Sequence, residues 1–115
     1  MFCERPQATL WILMSKFALF IKHKSLPGKR DEVRTVWERH MPAAIAQNQD
    51  HEAYFYCHAE NDPDTICVYQ QYSDYKSSQA FLKNARYAEY LKESRPLLAG
   101  EPEITAATPV WLKGV

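Results

Sequence analysis

The stretch His51-Glu52-Ala53-Tyr54-Phe55-Tyr56-Cys57-His58-Ala59-Glu60-Asn61-Asp62-Pro63-Asp64-Thr65-Ile66-Cys67-Val68-Tyr69-Gln70-Gln71-Tyr72-Ser73-Asp74 says most about how this chain is built. In its first part Tyr54 and Tyr56 alternate with Ala53, Phe55 and Cys57. That is the period of two of a strand, whose successive side chains point to opposite faces. Thr65 to Tyr72 is a second run, rich in β-branched and aromatic residues. Glu60-Asn61-Asp62-Pro63-Asp64 between them has turn chemistry, which predicts a hairpin. With the register centred on Asp62, Tyr56 and Gln70 share a face and Cys57 stands opposite Cys67. Ser73-Asp74 closes the second strand and offers an N-cap for a helix.

On the C-terminal side, helix is predicted from Tyr75 to about Lys83 and again from about Ala85 to Arg95, with a break near Asn84. Phe81, Leu82, Tyr87, Tyr90, Leu91 and Ser94 mark its buried side. Pro96 and Gly100 end it, and Glu103 to Leu112 reads as the last strand. Pro109 sets part of that strand on an edge or a bulge. On the N-terminal side, Lys29 to about Ala46 carries Val33, Val36, Trp37, His40, Met41 and Ala44 as one apolar stripe. Asp31 and Glu32 suit the positive end of the helix dipole. Pro42 is expected to kink this helix or end its regular part near Met41. Leu26-Pro27-Gly28 precedes it as a turn, and Lys16 to Lys24 alternates Phe17, Leu19 and Ile21 with Ala18 and Phe20, a strand apolar on both faces.

The order βαββαβ defines an α+β, ferredoxin-like domain: a four-stranded antiparallel sheet with the helices on one face. The other face then needs a cover, and a second copy of the chain, giving a homodimer, is the simplest. A chain of 115 residues is the size of one domain. Residues 16–115 are read as that domain and residues 1–15 as an N-terminal extension. Ser15-Lys16 interrupts the apolar run Leu10–Met14, and the segment is read as neither signal peptide nor membrane span. With 14 basic and 14 acidic residues the formal charge is zero, which argues against nucleic acid or an anionic membrane as partner. Three scattered cysteines fit a reduced, cytoplasmic protein rather than a disulfide scaffold, and Cys57 and Cys67 are expected to be inert buried thiols. No cysteine or histidine spacing suits a metal, so no structural zinc site is expected.

Leu26-Pro27-Gly28-Lys29, Tyr54-x-Tyr56, Asp62-Pro63, Tyr69-Gln70-Gln71-Tyr72-Ser73-Asp74 leading into Ala80-Phe81, and Pro102-Glu103-Ile104 occur in an order and spacing that resembles the antibiotic-biosynthesis monooxygenase family of dimeric α/β-barrel proteins. The resemblance runs from Lys16 to Leu112. It implies a dimeric α/β barrel and one of several activities: cofactor-free oxygenation of phenols or quinols, haem degradation, or isomerisation of small oxygenated metabolites. This chain departs from the family at Gln70, where an acidic residue is frequent, and at Phe81 and Arg86, where histidines are frequent. Leu91 stands near the position of the haem-ligating histidine and cannot ligate iron.

The resemblance therefore implies a cofactor-independent monooxygenase acting on a small phenolic or quinol-type compound with O₂. An isomerase of the same fold and a non-catalytic small-molecule-binding dimer remain the alternatives. Such oxygenation asks for an apolar, water-poor cage and a partner for the phenolate. His40, Tyr56, Gln70 and Asn84 are the candidate catalytic groups; Trp37, Phe81, Arg86 and Tyr87 are the candidate substrate-binding ones. Each has a plainer role: a core-edge histidine, a cross-strand pair, packed aromatics, a solvated arginine. His23 and His58 have suitable ordinary pKa values but stand at strand ends and are expected to face solvent or loops.

Overall fold

The hairpin around Asp62 closes as its turn residues dictate. Asp62 Oδ1 accepts from the Asp64 amide at 2.9 Å and Oδ2 from the Thr65 hydroxyl at 2.8 Å, and these bonds draw the carboxyl down to about 2. Arg30 spans the same turn, donating to the carbonyls of Ala59, Asp62 and Thr65 at 3.1, 2.9 and 3.2 Å. Gly28 has φ of 75°, a left-handed conformation open to glycine at little cost, and its amide donates to Asp64 Oδ1 at 3.0 Å. The two turns at this end of the molecule are thereby tied together.

The computed structural model describes residues 16–114, and the expected extension over residues 1–15 lies outside the described residues. The elements are β1 (Phe17–Lys24), α1 (Arg30–Gln47), β2 (His51–His58), β3 (Thr65–Tyr72), α2 (Tyr75–Phe81), α3 (Ala85–Ser94), a 3₁₀ turn (Arg95–Leu97) and β4 (Glu103–Ala107). All strand pairs are antiparallel, in the order β2-β3-β1-β4, as the ferredoxin-like reading requires. Register centres on Asp62: Tyr54 faces Gln70, Tyr56 faces Val68 and Cys57 faces Cys67.

Rows of paired residues run across the sheet. Tyr56, Val68, Ile21 and Ile104 form one row on the helix-covered face; Phe55, Tyr69, Phe20 and Thr105 form a row on the other. The core lies under the helices. Val33, Val36, Met41 and Ala44 of α1 and Phe81 and Tyr90 from α2 and α3 are buried there with Ile66 and Tyr72 of β3. Full burial of a Val, Ile or Met side chain stabilises the fold by roughly 1.5–3 kcal/mol.

Four expectations change. Helix α1 does not end near Met41 but runs through Pro42 to Gln47: Met41 and Ala44 on either side are buried, and their packing outweighs one missing backbone bond. Strand β4 stops at Ala107, because Pro109 offers no amide to extend the ladder beyond it. Leu82 is exposed just beyond the end of α2, so it leaves the buried stripe. Cys57 is exposed rather than buried, since its odd register places it on the helix-free face, where Cys67 is half-buried.

Candidate functional site

Between the covered face of the sheet and helices α1 and α3 lies a cavity of about 390 Å³, a size suited to a small ligand. Its floor is the alternating set of strand residues: Tyr54 and Tyr56 from β2, Ile66, Val68 and Gln70 from β3, Ile21 and His23 from β1, and Ile104 from β4. Its roof is Trp37 and Met41 from α1 with Tyr87, Tyr90, Leu91 and Ser94 from α3. Helical spacing produces this roof. Residues 37 and 41 lie one turn apart on α1, and residues 87, 90, 91 and 94 share one stripe of α3.

The aromatic wall is mutually packed. Trp37 lies 4.5 Å from the ring of Tyr56 and 5.8 Å from that of Tyr54, and its Nε1 donates to the Tyr54 hydroxyl at 3.3 Å. The Tyr56 hydroxyl is buried with no hydrogen-bond partner among the described residues. Burial pushes the phenols of Tyr54 and Tyr56 well above their ordinary value, and that of Tyr90 up to about 12. All three are therefore neutral hydroxyl groups at physiological pH, able to donate hydrogen bonds.

Gln70, 8% exposed, is held from behind. Its Oε1 accepts from the Tyr72 hydroxyl at 2.7 Å and from His51 Nε2 at 3.2 Å. His51 is fixed in turn. Its Nδ1 meets Asn48 Nδ2 at 3.2 Å, and its ring packs at 4.3 Å on Tyr72 and 4.5 Å on Phe81. An amide donating to Nδ1 selects the tautomer with hydrogen on Nε2, the one that can donate to Gln70. Burial lowers the His51 pKa and favours that neutral ring, against smaller opposing contributions from Gln70 and Asp50. With the carbonyl oxygen of Gln70 engaged twice, its amide N–H groups are the part left for the cavity.

Of the sequence-predicted site residues, Trp37, Tyr56, Gln70 and Tyr87 come together in this cavity. The other four do not. His40 turns along α1 toward α3, where Nε2 lies 2.5 Å from Glu93 Oε2 and Arg39 engages the other carboxyl oxygen. Asn84 spends its side-chain oxygen as the N-cap of α3, accepting from the amides of Arg86 at 2.8 Å and Tyr87 at 3.3 Å. Arg86 is exposed. Phe81 is core, packed against His51 and, at 5.6 Å, against Tyr87. Phe81 and Asn84 border a separate, open and polar surface cleft with Asn48, Asp50 and Ser77.

Sequence reasoning missed His51, Tyr54, Tyr72 and Tyr90, and it sent His23 toward solvent. By strict alternation His51 belongs with Ala53 and Phe55 on the uncovered face. A bulge between His51 and Ala53 reverses it, so that His51 pairs with Tyr72 and meets the covered side. Among the described residues no three His, Cys, Asp or Glu side chains are grouped to hold a metal ion, and no helix is long and apolar enough to cross a membrane.

Solved structures share this fold. A protein of Chloroflexus aurantiacus, provisionally named an antibiotic biosynthesis monooxygenase, superposes with a TM-score of 0.75 at 23% identity, over 87% of this chain and 98% of its own. A Caulobacter crescentus protein with the same provisional name gives 0.80 at 14% identity, over 92% and 100%. The Rv0793 protein of Mycobacterium tuberculosis gives 0.77 at 13% identity, over 87% and 100%. At these identities the likeness is one of fold, and that fold is the ferredoxin-like α+β arrangement expected from the sequence. No family model matches the sequence, and no curated protein matches it.

Proposed function

We propose that the chain is a cofactor-independent monooxygenase that oxidises a small phenolic or quinol-type compound with O₂. The observation that carries this reading is the cavity of about 390 Å³, walled by Trp37, Tyr54, Tyr56, Tyr87 and Tyr90, with the amide of Gln70 and a buried Tyr56 hydroxyl that has no hydrogen-bond partner among the described residues. Aromatic walls take up an aromatic ring and exclude water. Neutral donors hold an oxygen that becomes anionic, and in a water-poor site such bonds are stronger than in solution.

For an anthrone the balance is as follows. The ring methylene loses a proton, and the charge spreads to the carbonyl oxygen held by Gln70 and Tyr56. The anion passes one electron to O₂, and the radical pair joins to form a carbon–oxygen bond. The peroxide then loses water and leaves a second carbonyl. One oxygen atom enters the product and the other leaves as water; the two methylene C–H bonds supply the four electrons.

The proposal includes a homodimer with the aromatic, helix-free face as its interface. Phe20 and Phe55 are 51% and 59% exposed on that face and pack on Tyr69 at 5.0 and 5.7 Å. It also includes a cytoplasmic setting, supported by Cys57 and Cys67, which stand directly opposed as free thiols. The test is oxygen uptake against a panel of hydroquinones and anthrones, with boiled-protein and chelator controls. Uptake that persists with chelator is expected; no uptake on any member of the panel overturns the reading.

A further inference from the structure

His23 is the penultimate residue of β1, and its ring stands between two spaces. On one side it lines the main cavity. On the other it borders a polar surface cleft of about 290 Å³, shared with Lys22, Lys24, Asp62, Thr65, Glu101 and Glu103. Glu101 is the other residue common to both. Nδ1 of His23 is buried with no hydrogen-bond partner among the described residues, a costly state for a ring nitrogen that has no ligand. Four positions separate His23 from Leu19, the partner of Gln70 on β1, which is roughly 13 Å of strand. The base and the Gln70 amide thus hold opposite ends of the cavity floor.

We propose that His23 is the proton acceptor for the substrate bound in the main cavity, and that the polar cleft is the route by which the proton reaches solvent. This rests on the reading above only in requiring a conjugated substrate with an acidic C–H or O–H at one end. That bond breaks, its electron pair spreads through the ring toward the oxygen held by Gln70, and the proton bonds to Nδ1. The imidazolium then releases a proton to water in the cleft beside Glu101 and returns to the neutral ring.

The surroundings suit the task. Burial lowers the His23 pKa, so the resting ring is neutral; the anion formed beside it on proton transfer pairs with the imidazolium and offsets that burial in the complex. The charged groups around it are Lys22 and Lys24 on its own strand, Asp62 in the hairpin, Glu101 and Glu103 before and in β4, and Arg95 at the turn after α3. Lys24 is already neutralised by Asp62 at 3.3 Å. The acids leave the cleft side favourable to a departing proton, whereas among the described residues no carboxylate borders the Gln70 end of the cavity.

The probe is 7-hydroxycoumarin, a phenol with a carbonyl at the far end of two fused rings, whose absorbance separates phenol from phenolate. At about pH 6.5, the ordinary histidine value, coumarin bound to the wild-type protein is expected as the phenolate. In histidine-labelled protein, nitrogen NMR is expected to show the His23 ring becoming imidazolium on binding. His23→Gln is expected to bind the coumarin neutral and about tenfold more weakly, and the NMR arm stands even if that variant fails to fold. Bound coumarin that stays neutral in the wild type, a phenolate band that survives His23→Gln, an unchanged His23 ring, or no binding each overturns the proposal. No oxygen is consumed in this experiment, so it and the oxygen-uptake test fail independently.

Discussion

The two faces of one sheet carry the same kind of residue to different ends. On the covered face Tyr54, Tyr56 and Tyr72 pack beneath the chain's own helices, and a cavity is left among the described residues. On the other face Phe20, Phe55 and Tyr69 form an aromatic row in which both phenylalanines are exposed among the described residues. Period two distributes aromatics to both sides alike; the helices decide which become a site and which become a surface. An exposed row of this kind is costly in water, because it leaves apolar area hydrated.

The largest effect is expected on the uncovered face. The double variant Phe20→Glu, Phe55→Glu should weaken self-association by about 4 kcal/mol, roughly a thousandfold, if both rings are central to an interface. Sedimentation velocity at several concentrations measures it, with far-UV circular dichroism to show that the fold is kept. A wild-type protein already monomeric at micromolar concentration breaks the comparison, because the row would then be a surface with no partner.

Next comes a contrast within the covered face. Met41, 2% exposed, should lose about 2–5 kcal/mol on Met41→Ala, measured by urea unfolding. Trp37 is only half-buried and borders the cavity, so Trp37→Ala should cost less than about 3 kcal/mol, the lower end for a fully buried tryptophan. A larger loss for Trp37 than for Met41 would mean that the cavity is filled in solution.

These contrasts show how far the sequence could be read. Alternation in β1, β2 and β3, the Asp62 turn and the Asp74 cap are local signals, and each is written in neighbouring residues. The Tyr56–Gln70 face and the Cys57–Cys67 pair followed from the register alone. His40, by contrast, sits on an apolar stripe whose outer edge faces another helix, and no local pattern says which neighbour that edge will meet. Asn84 carries both a cap and a site signal in the same atom, and the cap takes it. His51 depends on a one-residue bulge, and His23 on a cleft that brings Asp62, Thr65, Glu101 and Glu103 to it from far along the chain. Tertiary placement decides the three histidines, and a local cap decides Asn84.

A smaller, pH-dependent effect belongs to the covered side. The lowered pKa values of His23 and His51 mean that the unfolded chain binds protons first as pH falls. Stability from these groups is therefore fully present above the ordinary histidine value of about 6.5 and is lost progressively below it. Melting temperature should fall with pH in that window, before the carboxylates titrate, and His51→Gln should flatten the slope. A slope unchanged by His51→Gln and by His23→Gln contradicts the burial assigned to both.

The smallest effect is expected at Cys57. Its exposed thiol should tolerate Cys57→Ser within about 0.5 kcal/mol, the range for surface changes. A thiol count on denatured, unreduced protein should find Cys57 and Cys67 both free; a bridged pair would move the protein out of a reducing setting.

The most direct test asks whether the cavity takes an aromatic ring. In a Trp11→Phe, Trp111→Phe background, Trp37 is the sole remaining tryptophan, and its indole lies on the cavity wall. Titration with 7-hydroxycoumarin should quench its fluorescence saturably. Val68→Trp fills the floor of the cavity and brings an indole of its own, so for that variant binding is followed by equilibrium dialysis and should be lost. Binding should survive Phe55→Glu on the opposite face. Quenching that does not saturate, or binding that survives Val68→Trp, would contradict the assignment of this cavity as the substrate site.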